Sequence, residues 1–386
     1  MIALGYVLIA IPIVIAVYAY IAYPLILWLV ARSRTDVTAQ APNTGQLPMV
    51  SVVVPAYNEE RQIGGAIDAL LAQDYPRDRM QILILSDAST DRTDEIVRSY
   101  SSRGVELLRM PERGGKTKAE NASCALLRGE IIVNTDASIR LHPAAVRELI
   151  ARMSPDVGVA SGRDVSIAAM GDASNITEAG YVGYEMWIRA LETRTGGIVG
   201  ASGSCYAIRH SLHLIPIRDD LSRDFSAALT AREHGFRTIS VDEAICFVAR
   251  TGSLRREYRR KLRTITRGMN TLYARRALLD LDKYGAFAWK LLSHKVARWT
   301  VPVAAILGAI GLALLAPSHL WAVVVLGLIA LVLVLALAGA LWPSQKPMPT
   351  LLSVAAFGTA ANLAVVHATL RILAGRRDPL WEPTRR

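Results

Sequence analysis

Cysteine is scarce in this chain. Cys124, Cys205 and Cys246 are its only three, far apart and at no paired spacing. That excludes a disulfide scaffold and a cysteine-based zinc site, and it suits a reducing compartment. No internal repeat and no low-complexity tract is present, so repeat architectures are excluded as well. Charge is missing where apolar residues run longest. Leu4–Val30 holds no charged residue, and Trp299–Ala316, Leu320–Trp342 and Leu351–Leu373 form a second apolar block. Runs of roughly 18 or more apolar residues are candidate bilayer spans. The last of the four carries His367 and Arg371 near one end and is the weakest candidate. The first has no basic residue before it, is too long for a signal-peptide core and lacks a small-residue cleavage site, so it reads as an uncleaved anchor. Arg32 and Arg34 follow it, which puts the central part of the chain in the cytoplasm by the positive-inside rule.

Acids are outnumbered, 33 against 44 Lys and Arg in 386 residues, and the imbalance is local: between Arg250 and Arg276 ten Lys/Arg meet one acid, Glu257. A basic stretch just ahead of membrane spans suits anionic lipid headgroups, and no nucleic-acid partner is expected. The chain thus divides into an anchor (1–34), a central domain (35–250), a basic amphipathic segment (251–298), a membrane region (299–374) and a basic tail (375–386). One span before the domain and three after it would leave Arg376, Arg377, Arg385 and Arg386 outside, against the same rule. Either Leu351–Leu373 does not cross fully or the first region behaves differently.

What is present in the centre is an alternation of strands and helices. Ala39–Pro48 reads as a linker. Val50–Pro55, Gln81–Leu85, Val105–Arg109 and Ile131–Val133 are apolar, mostly β-branched runs that suit strands buried on both faces of a parallel sheet. Helices are expected from an Asn58 N-cap to about Gln73, from Thr90-Asp91 to before Gly104, and over Thr117–Leu127. This β-α-β-α-β-α-β order predicts an α/β, doubly wound, mostly parallel sheet. Beyond it the pattern is less regular: a strand at Val157–Ser161, a helix at Ala179–Thr193, a glycine-rich stretch Gly196–Tyr206 and a helix ending at Gly235. Arg255–Tyr273 has two stripes at helical spacing. One is apolar (Tyr258, Leu262, Ile265, Met269), the other basic (Arg256, Arg260, Arg263, Arg267), so one side suits a membrane interface and the other an anion.

Polar groups then stand where ligands bind in such sheets, outside the strand ends: Asn58-Glu59, Asp87, Asp136 and, later, Asp224. Asp136, taken alone, also reads as the cap of a helix near His142-Pro143. Gly114-Gly115-Lys116-Thr117 is not a P-loop, because Met110 stands where its first glycine belongs. Together, Val52–Glu60 (Val-Val-Val-Pro-Ala-Tyr-Asn-Glu-Glu), Ser86–Ser89 and Thr135-Asp136-Ala137 resemble family 2 glycosyltransferases of the GT-A fold, over roughly Val50–Arg267. With the flanking spans, the resemblance is to their membrane-embedded, cellulose- and hyaluronan-synthase-like branch.

The resemblance implies an inverting, metal-dependent hexosyltransferase that moves a sugar from a UDP- or GDP-linked donor to a lipid-linked or polysaccharide acceptor at the inner membrane. It implies that Pro55, Ala56, Tyr57 and Glu59 contact the nucleotide, Asp87 its base or ribose, and Lys116 the diphosphate, with Asn121 supporting the loop. Asp136 corresponds to the aspartate that holds Mg²⁺ or Mn²⁺, while Asn134 and Ser138 stand where further acids are usual. Asp224 is the candidate general base, with Arg223 in place of the preceding acid. Tyr258–Arg263 replaces the family's Gln-x-x-Arg-Trp motif, leaving Arg260 and Arg263 to meet the departing diphosphate, and Gly203 and Ser204 line the acceptor pocket. A polyprenyl-phosphate sugar synthase and a catalytically degenerate membrane scaffold of an export system remain as alternatives.

Overall fold

The computed structural model describes residues 1–33, 47–167, 174–249, 253–343, 346 and 348–375. Arg34, Arg250, most of the expected linker and the arginines of the tail lie outside the described residues. Among those described, one sheet holds eight strands: β1 (Val50–Ala56), β2 (Met80–Ser86), β3 (Val105–Arg109), β4 (Ile131–Thr135), β5 (Ile139–Leu141), β6 (Val157–Ile167), β7 (Cys205–Arg209) and β8 (Arg237–Ala249). Their spatial order is β3-β2-β1-β4-β7-β6-β8-β5. The first four are parallel. β7 then runs antiparallel between β4 and β6, β8 pairs parallel to β6, and β5 closes the edge antiparallel to β8.

Among the described residues the longer helices are α1 (Ile2–Arg32), α2 (Ile63–Leu71), α3 (Thr93–Ser99), α4 (Lys116–Ser123), α5 (Ala145–Ala151), α6 (Ser174–Arg194), α7 (Arg223–Glu233), α8 (Leu254–Ala274), α9 (Ala286–Leu315), α10 (Leu320–Ala340) and α11 (Thr350–Leu373). Because alternate strand residues face opposite sides, the sheet supports two cores. Val52, Val54, Ile84 and Val133 pack with Ile63, Ile67 and Leu149 on one face. Val53, Leu83, Leu85 and Ile132 pack with Ala119, Ala227 and Ala231 on the other. Each fully buried Ile or Leu there contributes about 2–5 kcal/mol against truncation to Ala.

Several expectations are corrected. Asn58 does not cap a helix: its φ is +53°, and its Oδ1 accepts from the Thr90 N–H at 2.8 Å, tying the β1 loop to the β2 loop. Asn tolerates the left-handed region and bonds neighbouring backbone readily, so α2 starts later, at Ile63. Asp136 is not the cap of a helix at His142 either, since β5 intervenes and α5 begins at Ala145. The glycine-rich stretch runs into strand β7, and β8 adds a strand where none was expected.

α1, α9, α10 and α11 are long and apolar enough to cross a membrane. α1 and α9 pack antiparallel: a Cβ on Gly5 would meet Leu315, one on Gly308 would meet Pro12, and Tyr18 bonds Ser293. Their halves nearer the sheet join α6, through Tyr184 to the Tyr20 carbonyl and Arg194 to the Ala31 carbonyl. α10 returns along α9, with Ala322 packed on Leu312 and Leu315. α11 lies against α8, where Ala364 and Ala368 meet Leu262 and the Tyr258 hydroxyl bonds His367 at 2.9 Å.

Candidate active site

Strand order reverses between β1 and β4, and in open α/β sheets the crevice at such a point, outside the carboxyl ends of the strands, is where ligands bind. A cavity of about 250 Å³ opens there. Glu59 follows β1 and Asp136 follows β4. Ser202, Gly203 and Ser204 lead into β7, Lys116 and Thr117 start α4, and Ser222 to Asp224 start α7. Arg260, Arg263, Thr264 and Arg267 reach in from α8. The cavity therefore gathers Glu59, Lys116, Asp136, Gly203, Ser204, Asp224, Arg260 and Arg263 from the sequence expectations. Pro55, Ala56, Tyr57 and Asp87 are not on its wall.

Lys116 Nζ donates to Asp136 Oδ1 at 2.6 Å. Burial works to lower the Lys116 pKa, but Asp136, Glu120 and Asp224 together push it up to about 12, so a full positive charge is held among three carboxylates. Asp87 stands just behind: its two oxygens accept from the Gly114 and Gly115 N–H groups at 2.7 and 2.8 Å. It thereby fixes the turn that delivers Lys116, where Gly115 takes φ +88°, a conformation glycine adopts without strain. Beside it the Arg113 guanidinium stacks on Tyr57, 4.0 Å from the ring centroid.

Asp224 is not at a strand end, as expected, but in the first turn of α7, where the helix dipole favours a carboxylate. Its Oδ1 accepts from the Ser222 hydroxyl, and Gly203 comes so near that a Cβ would sit 3.1 Å from Oδ2. The preceding Arg223 turns away into the interior. It pairs with the fully buried Glu120 at 3.1 Å and donates to Asn121 Oδ1 at 2.6 Å and His213 Nε2 at 3.2 Å. Asn121 thus braces the Ile217–Arg223 segment, donating also to the Ile217 carbonyl at 2.8 Å, rather than the Lys116 turn. Burial raises the Glu120 pKa, with Arg223 and Lys116 opposing it.

On α8, Arg260 is held by both oxygens of Glu257, at 2.9 and 2.7 Å. Arg267 is a staple: it donates to the Leu221 and Asp219 carbonyls and to Thr117 Oγ1, joining α8 to the starts of α7 and α4. Its place was legible as the next member of the basic stripe. Glu120 carried a weaker signal, one helical turn after Lys116 and so on the same face. Asp164, which accepts from Ser202 Oγ at 2.8 Å and also lines the cavity, had none.

Among the described residues no group of three or more His, Cys, Asp or Glu could hold a metal by itself. Asp136 with the Ser138 hydroxyl beside the cavity fits a divalent ion that takes most of its ligands from phosphate and water, as Mg²⁺ does.

Comparison with known proteins follows the same outline. The family model described as Glycosyl transferase family 2 matches residues 51–213. An N-acetylglucosaminyltransferase of Sinorhizobium fredii is 26% identical over 275 residues, covering 65% of this chain and 65% of the relative. Another, from Rhizobium meliloti, is 28% identical over 249 residues, covering 59% of this chain and 57% of the relative. The chain thus spans less than two thirds of either relative. A mannosyltransferase from Pyrobaculum calidifontis, solved with GDP-Man and Mn²⁺, superposes with a TM-score of 0.72 over 96% of this chain and 99% of that one, at 24% identity. That likeness establishes the fold. With the motifs, the cavity and the family match in agreement, the chain carries a family 2 glycosyltransferase domain on a GT-A-like sheet, flanked by helices long enough to span a membrane.

Proposed function

We propose that the protein transfers a sugar, with inversion, from a UDP- or GDP-linked donor to a lipid-linked or polysaccharide acceptor at the cytoplasmic face of the inner membrane. The observation that carries this reading is the convergence of Asp224, the Lys116–Asp136 pair and the α8 arginines on one cavity. Asp224 takes the proton of the acceptor hydroxyl as its oxygen attacks the anomeric carbon. The bond from that carbon to the diphosphate breaks on the opposite side, and the electron pair leaves with the nucleoside diphosphate. Lys116 and Arg263 line the path of the departing charge and stabilise it as it develops. A divalent ion at Asp136 would neutralise further diphosphate charge.

Replacing Asp224 by Asn removes the base and keeps the shape. Transfer should fall about 10²- to 10⁴-fold while donor affinity, measured by calorimetry, stays unchanged. A phosphate nucleophile needs no base, so near-normal turnover in Asp224→Asn would turn the assignment to a polyprenyl-phosphate acceptor.

The membrane disposition belongs to the same reading. α11 packs on α8, whose other side stays on the catalytic domain, so α11 lies along the interface and the carboxyl end remains on the catalytic side. In this arrangement the tail arginines would stay on the side that the positive-inside rule favours. A reporter enzyme fused after Arg386 should be active only on the cytoplasmic side; activity on the other side would refute this arrangement.

A further inference from the structure

A second, larger cavity of about 470 Å³ adjoins the first and shares Arg260 and Thr264 with it. Its walls come from α1, α6, α8, α9 and α11, at the level where α8 meets the membrane helices. Part of the lining is cationic. Arg260, Lys261, Lys295 and Arg298 face it, against the carboxylates Glu185 and Glu257. Glu257 is committed to Arg260, and Glu185 to Arg298 and His294, each at 2.7–2.9 Å. Lys295 makes no hydrogen bond or close ion pair among the described residues; Glu185 and Glu192, both already bonded to other groups, attract it only at longer range. Its ammonium lies 5.6 Å from the centre of the Phe225 ring instead. The rest of the lining includes the apolar Ile265, Pro302, Phe357 and Val365.

A charge among membrane helices is costly unless something pairs with it, and such a residue marks a ligand path. The backbone is also irregular here. α1 and α9 each carry a π-helical turn, Tyr18–Ala22 and Leu292–Ala297, and the second of these presents Lys295. Single π turns inside α-helices recur at functional sites. A ligand that matches both kinds of lining carries an anionic group, such as a phosphate, and an apolar chain.

We propose that this cavity binds a lipid phosphate, the headgroup beside Lys295 and the chain between α9 and α11, and that the acceptor reaches the catalytic cavity on such a lipid. The inference rests on the transferase reading for the purpose of the site, but not for its chemistry.

The test uses the full chain in detergent. Equilibrium dialysis would compare geranylgeranyl phosphate with geranylgeraniol and with inorganic phosphate, while calorimetry follows UDP-GlcNAc and GDP-Man. The lipid phosphate should bind roughly 10- to 100-fold more tightly than either half alone, and Lys295→Gln should cost a similar factor, as expected for a charge-assisted contact. Gly358→Leu gives a second variant: Gly358 lines the cavity, and a Cβ there meets nothing within 4 Å. It should fill the site without disturbing the helix and abolish lipid binding. Nucleotide-sugar binding should persist in both variants. Equal binding of alcohol and phosphate, of inorganic phosphate and lipid, or of lipid by wild type and both variants would overturn the proposal. Failure of the wild type to bind any nucleotide sugar would instead remove the transferase reading and leave the lipid result to stand on its own arms.

Discussion

Two buried glutamates in this protein are treated in opposite ways. Glu192 sits where α6 meets α1 and α9, fully buried, with its carboxylate accepting from the Tyr23 hydroxyl and lying 2.7 Å from His294 Nδ1. Glu185, two turns earlier on the same face of α6, meets His294 Nε2 and Arg298 at 2.8 Å each. Burial pushes both acids up, but His294 and the neighbouring cations outweigh it and hold both below the usual carboxylate range. Glu120, behind the catalytic cavity, is equally buried, and there burial wins and its pKa rises. The difference is the number and placement of partners. The α6 cluster is a knot in which acids and donors meet one another. Behind the catalytic cavity Glu120 has Arg223 at 3.1 Å and Lys116 further off, and these two do not outweigh its burial. A paired cluster holds the membrane stalk to the domain, while the acid behind the catalytic cavity keeps a burial cost that its partners do not cancel.

The largest effect should come from cutting the knot. Glu192→Ala leaves the Tyr23 hydroxyl and His294 Nδ1 buried without their partner, while His294 Nε2 keeps Glu185; breaking one side of a buried polar pair typically costs about 3–5 kcal/mol. Thermal unfolding in detergent should show a large drop in midpoint, with nucleotide-sugar affinity of the surviving folded fraction unchanged. A variant as stable as wild type would show that the knot is not what joins stalk and domain.

Acid separates the two clusters next. Acids with folded-state pKa values below their unfolded ones stabilise the fold above the ordinary value, about 4.5 for Glu, and that contribution disappears as pH falls through the folded values. Glu185 and Glu192 act in this sense. Glu120, with its pKa raised, acts in the other: its contribution weakens as pH rises from about 4.5 toward the folded value. Below pH 4.5 the wild-type unfolding midpoint should therefore fall steeply, and Glu192→Gln should flatten that slope. An unchanged slope would mean that the acid sensitivity lies elsewhere.

The same contrast explains what could be read in advance. The strands β1 to β4 were legible because parallel strands covered on both faces are short apolar runs that end in turn residues, and Val50–Ala56 is buried at every position. β8 was not. Its alternation breaks at the exposed Asp242 and Glu243, and it lies in the mixed half of the sheet, where the register with β6 shifts twice. In the site, side chains fixed by local motifs (Lys116, Asp136, Asp224) reach the cavity as expected. Glu120, Asp164 and the inward turn of Arg223 depend on packing between distant segments, which no local pattern encodes. Asp87 illustrates the middle case: its position was legible, while its bonds to Gly114 and Gly115 appear only once the two loops meet.

A pair of glycines sharpens the comparison with the smallest changes. Gly203 faces Asp224 so closely that an added methyl would stand 3.1 Å from Oδ2. Oδ1 is already held by Ser222, so Gly203→Ala forces the carboxylate to swing by a few tenths of an ångström. Misplacing a reacting group by about 1 Å can cost on the order of 100-fold, so turnover should drop by roughly 10-fold, with donor affinity and unfolding midpoint unchanged. Gly183 lies within α6 on the side away from the knot, and a Cβ there meets nothing within 4 Å. Gly183→Ala should do the reverse, adding about 0.5–1 kcal/mol of stability through helix propensity and leaving turnover as it was. If both substitutions changed stability and neither changed turnover, Asp224 would not be working at the position its geometry gives it.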